Sequence, residues 1–471
     1  MRVAEYIRRA LDRLLGSRHA TIDTIEPGAI VVAPRKPIDL HDEAAITEVL
    51  DLAARVGAVL LDSGTGAVDT ADQVQFVTGV YGLDDVDVDV TFNRVLICAR
   101  RGSTLPPITA VRTVYYRSLD FTRLAETDRL IRLIRNRALS AASAHRIVDS
   151  IVAARHPYPY WMSTVAWGVM AYGIVVFLGV GRLIGLTAFV TSVVIILVNR
   201  RLNRIGTPMF FQQMVGGFLA VIPAALMFQL FSATDIRAYP SQIIAAGIVV
   251  LLAGLSLVGA VQDAITGAPL TGTARLTEVL ILTGGVLVGV ALAVRFVGLF
   301  DIMLPPLSSI ARFAPSDLPT RIVGGAIVAG GFALASYAER RAIPAAIMAG
   351  ALGAGVQGSI SLIVHAPLMS YAIAAVLVGL LGGLAARRSL TPPLVIGIAG
   401  ITPMLPGLTL YRGMYQLLNN DGGTGGIDMA SAFGIGCALA AGVTLGEFAA
   451  RRLRRPKLPP VLHNISQLRR P

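Results

Sequence analysis

From Pro159 onward the chain is a succession of apolar stretches of about 20 residues, separated by short polar or basic segments. A helix of that length rises about 30 Å, at about 1.5 Å per residue, which matches the hydrocarbon core of a bilayer. The pattern predicts ten spans, near residues 162–180, 183–199, 209–231, 241–261, 277–297, 321–338, 343–364, 367–386, 393–418 and 430–450. We therefore expect a polytopic α-helical membrane domain over residues 159–455, followed by a basic cytoplasmic tail at 456–471.

Ahead of the first span the pattern is that of a small α+β domain. Apolar residues at helical spacing predict helices over about 42–61, 68–80 and 121–155. Apolar and polar residues alternate in VDVDVTF, which is typical of a half-buried strand. The runs VLICA and ITAVRTVYY predict two more strands, joined by a turn over 102–107 into an antiparallel meander. We expect a cytoplasmic domain over residues 41–158, after a basic segment and a proline-punctuated linker over residues 1–40.

Charge supports this division and predicts an orientation. Residues 1–155 carry 20 Lys+Arg and 20 Asp+Glu, whereas residues 156–471 carry 21 and 9. With the amino terminus inside, 15 basic residues fall in the cytoplasmic loops and tail and 5 in the outer loops, in agreement with the positive-inside rule. The composition, with 54% hydrophobic residues and a mean hydropathy of +0.67, fits the same picture. We predict a multi-pass protein of the inner (plasma) membrane with both termini cytoplasmic, and no nucleic-acid partner.

An internal repeat is visible when the sequence is shifted by 153 residues. AGLSLVGAVQDAITGAPLTGTA at 253–274 then aligns without gaps with PGLTLYRGMYQLLNNDGGTGGI at 406–427, and Pro240 falls on Pro393. Chance matches between glycine-rich apolar segments are the alternative. Because the match pairs span four with span nine, two halves of five helices would enter the membrane from opposite faces. This 5+5 inverted repeat is the architecture of many alternating-access transporters.

Helix breakers mark the ninth span. Pro403, Pro406 and Gly407 lie inside it, where prolines remove backbone hydrogen bonds that lipid cannot replace. The pattern favours a broken helix facing a cavity, with a simple kink as the alternative. In the first half Ala253-Gly254 occupies the equivalent place without a proline.

Polar residues follow each Gly-Leu pair and are the candidates for substrate and proton binding. A zwitterionic amino acid needs an anion or acceptors for its ammonium group and donors or helix amino termini for its carboxylate. Asp263 is the leading candidate for ammonium or proton binding, and a helix cap at the membrane interface is its alternative. Arg412 either faces the bundle or snorkels outward, and Arg275 pairs with Glu278 in the simplest interpretation. These polar residues are Gln262, Asp263, Thr266 and Thr271 in the first half, and Arg412, Gln416, Asn419, Asn420 and Asp421 in the second.

Other chemistries receive less support. One of Ser63 and Thr65 in LDSGTGA would be the nucleophile in a membrane-anchored hydrolase. The G-x-S-x-G and S-x-x-K motifs are absent, however, and a loop between helices explains the segment. A passive channel for small solutes is the third alternative. The absence of a G-x-x-x-x-G-K-[ST] loop argues against an ATPase and favours an ion gradient as the energy source. Cys98 and Cys437 have no metal-type neighbours, so we expect no disulfide and no metal site. Because the catalytic and nucleotide-binding motifs are missing, we also expect no enzyme activity and no cofactor.

Several segments resemble the threonine/serine exporters, a family that joins a cytoplasmic amino-terminal domain to ten spans. The resemblance covers about residues 43–450 and rests on the motifs LDLAARVGAVLLDSGTGAVDTADQV, VDVDVTFNRVLI, VRTVYYRSLDFTRLAETDRLIRLI, LVGAVQDAITGAPLTGTARLTEVL and ITPMLPGLTLYRGMY. One departure is Ala253-Gly254, where the family tends to carry Pro-Gly.

The resemblance implies a secondary active exporter of L-threonine, L-serine and other small amino acids, driven by the proton motive force. The implied partners are the amino acid, protons and the lipid bilayer, and a homo-oligomer stays open. The motif positions that the resemblance carries over are Asp263, Thr266, Gly267, Thr271, Gly272, Arg275, Pro406, Gly407 and Arg412. Together with Gln416 they are the predicted site residues.

Overall fold

In a computed structural model, the described residues are 38–454, apart from residues 103, 115–118, 138, 180, 232–243, 245–246, 248–250, 252, 301–313, 365, 390 and 419–421. The predicted basic segment, up to residue 37, and the predicted tail lie outside the described residues. Residues 38–158, which we call the N-terminal domain, contain α1 (Glu43–Asp62), α2 (Ala67–Val80), β1 (Val86–Thr91), β2 (Arg94–Arg101), β3 (Leu105–Thr113), α3 (Phe121–Arg137) and α4 (Ala141–Ala153).

The N-terminal domain is built on a three-stranded antiparallel sheet of order β1-β2-β3. Helix α1 begins where the Asp42 side chain accepts a hydrogen bond from the Ala45 amide, and it buries an apolar stripe that includes Ile46 and Leu50. The central strand β2 contributes Val95, Ile97 and Ala99 to the same core. The antiparallel meander of three strands that the sequence predicts is therefore confirmed.

Two predicted boundaries in this domain are wrong. The third strand starts at Leu105, which pairs with Arg101, so the turn is shorter than the predicted 102–107. Strand β3 is an edge strand, where Pro106 and Pro107 are tolerated because an edge strand has fewer ladder bonds to donate. The predicted helix over 121–155 is two helices, because Ser140 caps the start of the second one.

The remaining helices form the membrane domain. They are α5 (Tyr160–Phe177), α6 (Arg182–Arg204), α7 (Met209–Phe231), α8 (Ala253–Thr266), α9 (Pro269–Gly298), α10 (Leu318–Ala335), α11 (Ile343–Ile363), α12 (Pro367–Ser389), α13 (Pro393–Ile401), α14 (Gly407–Leu418) and α15 (Gly422–Arg454). Within the described residues, eight helices are long and apolar enough to cross a membrane. The chain is therefore a multi-pass membrane protein.

The fourth and ninth predicted spans correspond to shorter helices. The ninth is broken: α13 ends at Ile401, Thr402–Met404 form a 3-10 turn, Leu405 is extended, and α14 starts at Gly407. The prolines account for this break, because Pro403 and Pro406 supply no amide donor. In the fourth span the described helix starts at Ala253, and its predicted beginning at Pro240 lies outside the described residues.

Candidate functional site

Most of the predicted site residues lie in two helical hairpins. The first hairpin consists of α8 and α9, and the second consists of α14 and α15. In the first hairpin the chain turns at Gly267, whose φ of +114° favours glycine, and Pro269 starts α9. Asp263, Thr271, Gly272 and Arg275 are buried there, whereas Thr266 and Gly267 are exposed.

Asp263 and Arg275 form a buried ion pair across the first hairpin. Arg275 Nη1 lies 2.5 Å from Asp263 Oδ2, and the two side chains are 10% and 1% exposed. The predicted partner Glu278 also attracts Arg275, but Asp263 is the carboxylate in direct contact. The simplest sequence interpretation, an Arg275–Glu278 pair, is therefore wrong in its partner.

The other carboxylate oxygen of Asp263 binds the N-terminal domain. Asp263 Oδ1 accepts a hydrogen bond of 2.9 Å from the Ala67 amide, the first residue of α2. Gly66, the N-cap residue, has no side chain to cap the helix, and a Cβ there would lie 3.2 Å from the same oxygen. Asp263 thus acts as the cap of a helix in the other domain, at the positive end of its dipole.

Thr271 makes a second contact with the N-terminal domain. Its hydroxyl accepts a hydrogen bond of 3.0 Å from the Phe92 amide, and lies 3.3 Å from the carbonyl oxygen of Val90. Phe92 sits in the turn between β1 and β2 with a φ of +52°. The start of α9 therefore lies against the N-terminal domain, and we call this side of the membrane domain the proximal face.

The second half of the membrane domain also contacts the N-terminal domain at the proximal face. Arg129 on α3 binds both carboxylate oxygens of Glu339, at 2.5 and 2.6 Å, and Glu126 at 2.7 Å. Asp69 on α2 lies 3.4 Å from Arg451 near the end of α15. The N-terminal domain therefore bridges the two halves.

Asp72, one turn after Asp69, lies beside this last contact. Partial burial and the negative charge of Asp69 raise the pKa of its carboxyl group above the usual value, and the positive charge of Arg451 lowers the pKa in part. The contact therefore includes a repulsion between two carboxylates as well as an attraction.

The second hairpin carries Arg412 and Gln416 one turn apart on α14, both half-buried. Asp428 on α15 is also half-buried and attracts Arg412 electrostatically. Pro406 and Gly407, at the start of α14, are buried. The structure therefore divides the predicted site residues between two hairpins, with the buried ion pair in the first.

The two hairpins meet in a shared apolar cluster. Its residues are Leu257, Val279, Leu276, Leu410, Ala432 and Met429. A shift of 153 residues carries the first three onto the last three, so each residue in the cluster has its sequence counterpart in the same cluster. The hairpins therefore contact each other through equivalent faces.

Three functional contacts were not identified from the sequence. The Ala67 amide and the Phe92 amide belong to the N-terminal domain, and no local pattern connects them to the membrane helices. Asp428 could have been found from the sequence, because the shift of 153 residues places it on Arg275.

The hydrolase alternative is not supported by the position of Ser63. This residue has 0% of its surface exposed, so its hydroxyl is closed to a substrate in this structure.

Comparison with known proteins yields two family matches. A family described as "Putative threonine/serine exporter" matches residues 51–297, and one described as "Threonine/Serine exporter, ThrE" matches residues 321–449. The first match ends with the first hairpin, and the second match covers the second hairpin. No solved structure matches the chain.

Two curated relatives cover most of the chain. The "Threonine/serine exporter" of Corynebacterium glutamicum is 42% identical over 443 residues, which are 94% of this chain and 90% of the relative. The "Probable threonine/serine exporter" of Mycobacterium tuberculosis is 37% identical over 422 residues, which are 88% and 78% of the two chains.

Proposed function

The chain belongs to the threonine/serine exporter family, and from that premise we propose that it exports small amino acids, above all L-threonine and L-serine, from the cytoplasm. The observation that carries the proposal is the identity of 42% over nearly the whole length of a protein named as such an exporter. In this proposal the protein is a secondary transporter in the inner (plasma) membrane, and not an enzyme. The N-terminal domain and both termini lie on the cytoplasmic side.

The transport mechanism in this proposal is alternating access by two inverted halves. The matching hairpins support the repeat, because α8 and α14 start within one residue of equivalent positions, and α9 and α15 start at equivalent positions, Pro269 and Gly422. The helices also cross at the same point. A Cβ at Gly272 would lie 2.7 Å from the Ala260 carbonyl oxygen, and one at Gly425 would lie 2.9 Å from the Gly413 carbonyl oxygen.

The contacts at the proximal face support the inversion. Helix α9 starts at this face, since Thr271 binds Phe92 there. Its counterpart α15 ends at this face, since Arg451 lies against Asp69. Two equivalent helices that run in opposite directions through the membrane are what an inverted repeat requires. Rocking of the halves about the shared apolar cluster would then expose the transport path to alternate sides.

Asp263 is the coupling residue in this proposal. Its carboxylate is held by Arg275 and by the Ala67 amide in the conformation seen here. When the N-terminal domain and the first hairpin separate, the oxygen that accepts from Ala67 is released and becomes available to a proton or to the substrate ammonium group. Arg275 continues to compensate the charge of Asp263 in that state, which keeps the separation energetically feasible.

The proposal is tested by efflux of L-threonine from cells loaded with a threonine-containing dipeptide, with and without the gene. We expect gene-dependent efflux that stops when a protonophore collapses the proton gradient. Efflux that continues down the threonine gradient after the protonophore would favour a channel and contradict proton coupling. Absence of any gene-dependent efflux of threonine or serine would contradict the substrate assignment.

A further inference from the structure

Each hairpin carries an acid and an arginine, but the helices on which the two charges lie are exchanged. A shift of 153 residues places Gln416 on Asp263, Asp428 on Arg275, and Arg412 on Gly259. In the first hairpin the acid therefore lies on the short helix and the arginine on the long helix. In the second hairpin the arginine lies on the short helix and the acid on the long one.

The geometry of the first hairpin shows how an arginine from either helix can fill the same space. Arg275 reaches across to α8, and a Cβ at Gly259 would lie 3.6 Å from its Nη1 atom. The space over residue 259 is thus filled by an arginine from the opposite helix. At the equivalent place in the second hairpin the arginine comes from residue 412 itself, and the opposite position 428 holds the shorter aspartate.

The two hairpins cross closely and at equivalent residues. A Cβ at Gly272 would lie 2.9 Å from the Ala264 Cβ, and a Cβ at Gly425 would lie 2.8 Å from the Leu417 Cγ. Ala264 and Leu417 are again equivalent under the shift of 153 residues. Next to Arg412, a Cβ at Gly413 would lie 2.7 Å from the amide nitrogen of Met429, which follows Asp428. Arg412 and Asp428 therefore lie on facing stretches of α14 and α15, and Asp428 attracts Arg412 electrostatically.

We infer that Arg412 and Asp428 are the charge-exchanged counterpart of the Asp263–Arg275 pair, and that they hold the second hairpin closed at the membrane face opposite the N-terminal domain. Along α15, Asp428 lies about 35 Å from Arg451 at about 1.5 Å per residue, and Arg451 contacts the proximal face. The pairing rests on the equivalence of the two hairpins and on the close crossing of α14 and α15. Its role as a gate rests on the proposed alternating-access exporter.

The two pairs differ in their contact with the N-terminal domain. The carboxylate of Asp263 also accepts from the Ala67 amide, a bond that an arginine in its place cannot make because the guanidinium has no acceptor. Exchanging acid and base should therefore be tolerated in the second hairpin and not in the first. An exchanged second hairpin would carry its acid on the short helix and its arginine on the long helix, as the first hairpin does, with the acid one turn earlier.

The gate is tested by threonine efflux from the full-length chain. Each single reversal, Arg412→Asp or Asp428→Arg, should lower efflux by about tenfold or more, because it places two like charges together. The double variant Arg412→Asp/Asp428→Arg should recover a large part of the wild-type rate. The matched control, Asp263→Arg/Arg275→Asp, should stay as inactive as its single variants. A second-hairpin double variant that is present in the membrane but no more active than its singles would overturn the gate.

The pair itself is tested without transport, so that its failure is separate from failure of the exporter proposal. The full-length protein is purified in detergent, and its Tm is measured for Arg412→Ala, Asp428→Ala and the double variant. If the residues form a pair, the double variant loses no more Tm than the worse single variant. Losses that simply add would overturn the pair, whatever the efflux assay shows.

Discussion

The first and second hairpins have the same backbone design but different chemistry and surroundings. Both begin at equivalent positions, cross at a glycine, and bury equivalent apolar residues in one shared cluster. The first carries a buried ion pair whose acid also caps a helix of the N-terminal domain, whereas the acid and the arginine of the second are half-buried. The close helix crossing is therefore common to the two halves, whereas the polar residues differ between them.

The difference also has an energetic side. A buried carboxylate such as Asp263 needs compensation by a partner, and the first hairpin provides it with one cation and one amide donor. Asp428 is only half-buried, so its charge needs less compensation by a partner. We therefore expect substitutions at the polar positions to have larger effects in the first hairpin than in the second.

The largest expected effect is at the close helix crossing that both hairpins share. Replacing Gly272 or Gly425 by leucine would push a side chain into the backbone of the neighbouring helix, and should destabilise the fold by about 3 kcal/mol or more in either half. The matched control is Gly426→Leu, because among the described residues no other helix has an atom within 4 Å of a Cβ at Gly426. Size-exclusion chromatography of the detergent-solubilised protein reports the result. If either hairpin accepts the leucine with a normal monodisperse peak, its close crossing is not required.

Neutralising Asp263 should have the next largest effect. Asp263→Asn keeps an acceptor for the Ala67 amide but leaves Arg275 without its partner, which for a buried pair destabilises by about 3–5 kcal/mol. We expect a lower Tm and loss of threonine efflux. The control Asp84→Asn, at an exposed position of the N-terminal domain, should leave both near the wild-type values. Normal efflux by Asp263→Asn would remove this residue from the coupling mechanism.

Thr271→Val isolates one contact of the N-terminal domain with the first hairpin. Valine has the shape of threonine but cannot accept from the Phe92 amide, and the loss of such a bond destabilises the contact by about 1–2 kcal/mol. Amide hydrogen exchange around Phe92 should become about tenfold faster. Thr273→Val is the control, because Thr273 is exposed and donates to the Pro269 carbonyl of its own helix. Equal exchange in both variants would show that the contact does not hold the domain.

The smallest expected effect is a pH dependence at the contact of the N-terminal domain with the second half. Because the pKa of Asp72 is raised in the folded protein, its ionised form is slightly destabilising, and this penalty is present at neutral pH and is lost as the pH falls below the usual value of 3.8. Asp72→Asn should therefore raise the Tm slightly at pH 7, and the gain should shrink as the pH is lowered towards 4. A gain that is constant with pH would exclude a charge effect as its cause.

Much of the fold follows from local pattern. The period of apolar residues distinguishes the alternating strand of β1 from the long apolar helices, and Pro403 and Pro406 mark the break between α13 and α14. The shift of 153 residues relates the two hairpins through their residues alone. These features depend on neighbours along the chain or on equivalence between segments, and both can be read from a single sequence.

The partners of the site residues depend on tertiary structure. Asp263 binds Ala67, 196 positions earlier, and Thr271 binds Phe92, 179 positions earlier. The sequence predicts Asp263 as a binding residue or a helix cap, and in this structure it is the cap of a helix in another domain. A hydrogen bond between two domains arises from how their surfaces fit, which leaves no periodic trace in either segment. Residue types that can form an ion pair or a cap are therefore visible in the sequence, but which groups actually meet is decided only when the domains pack.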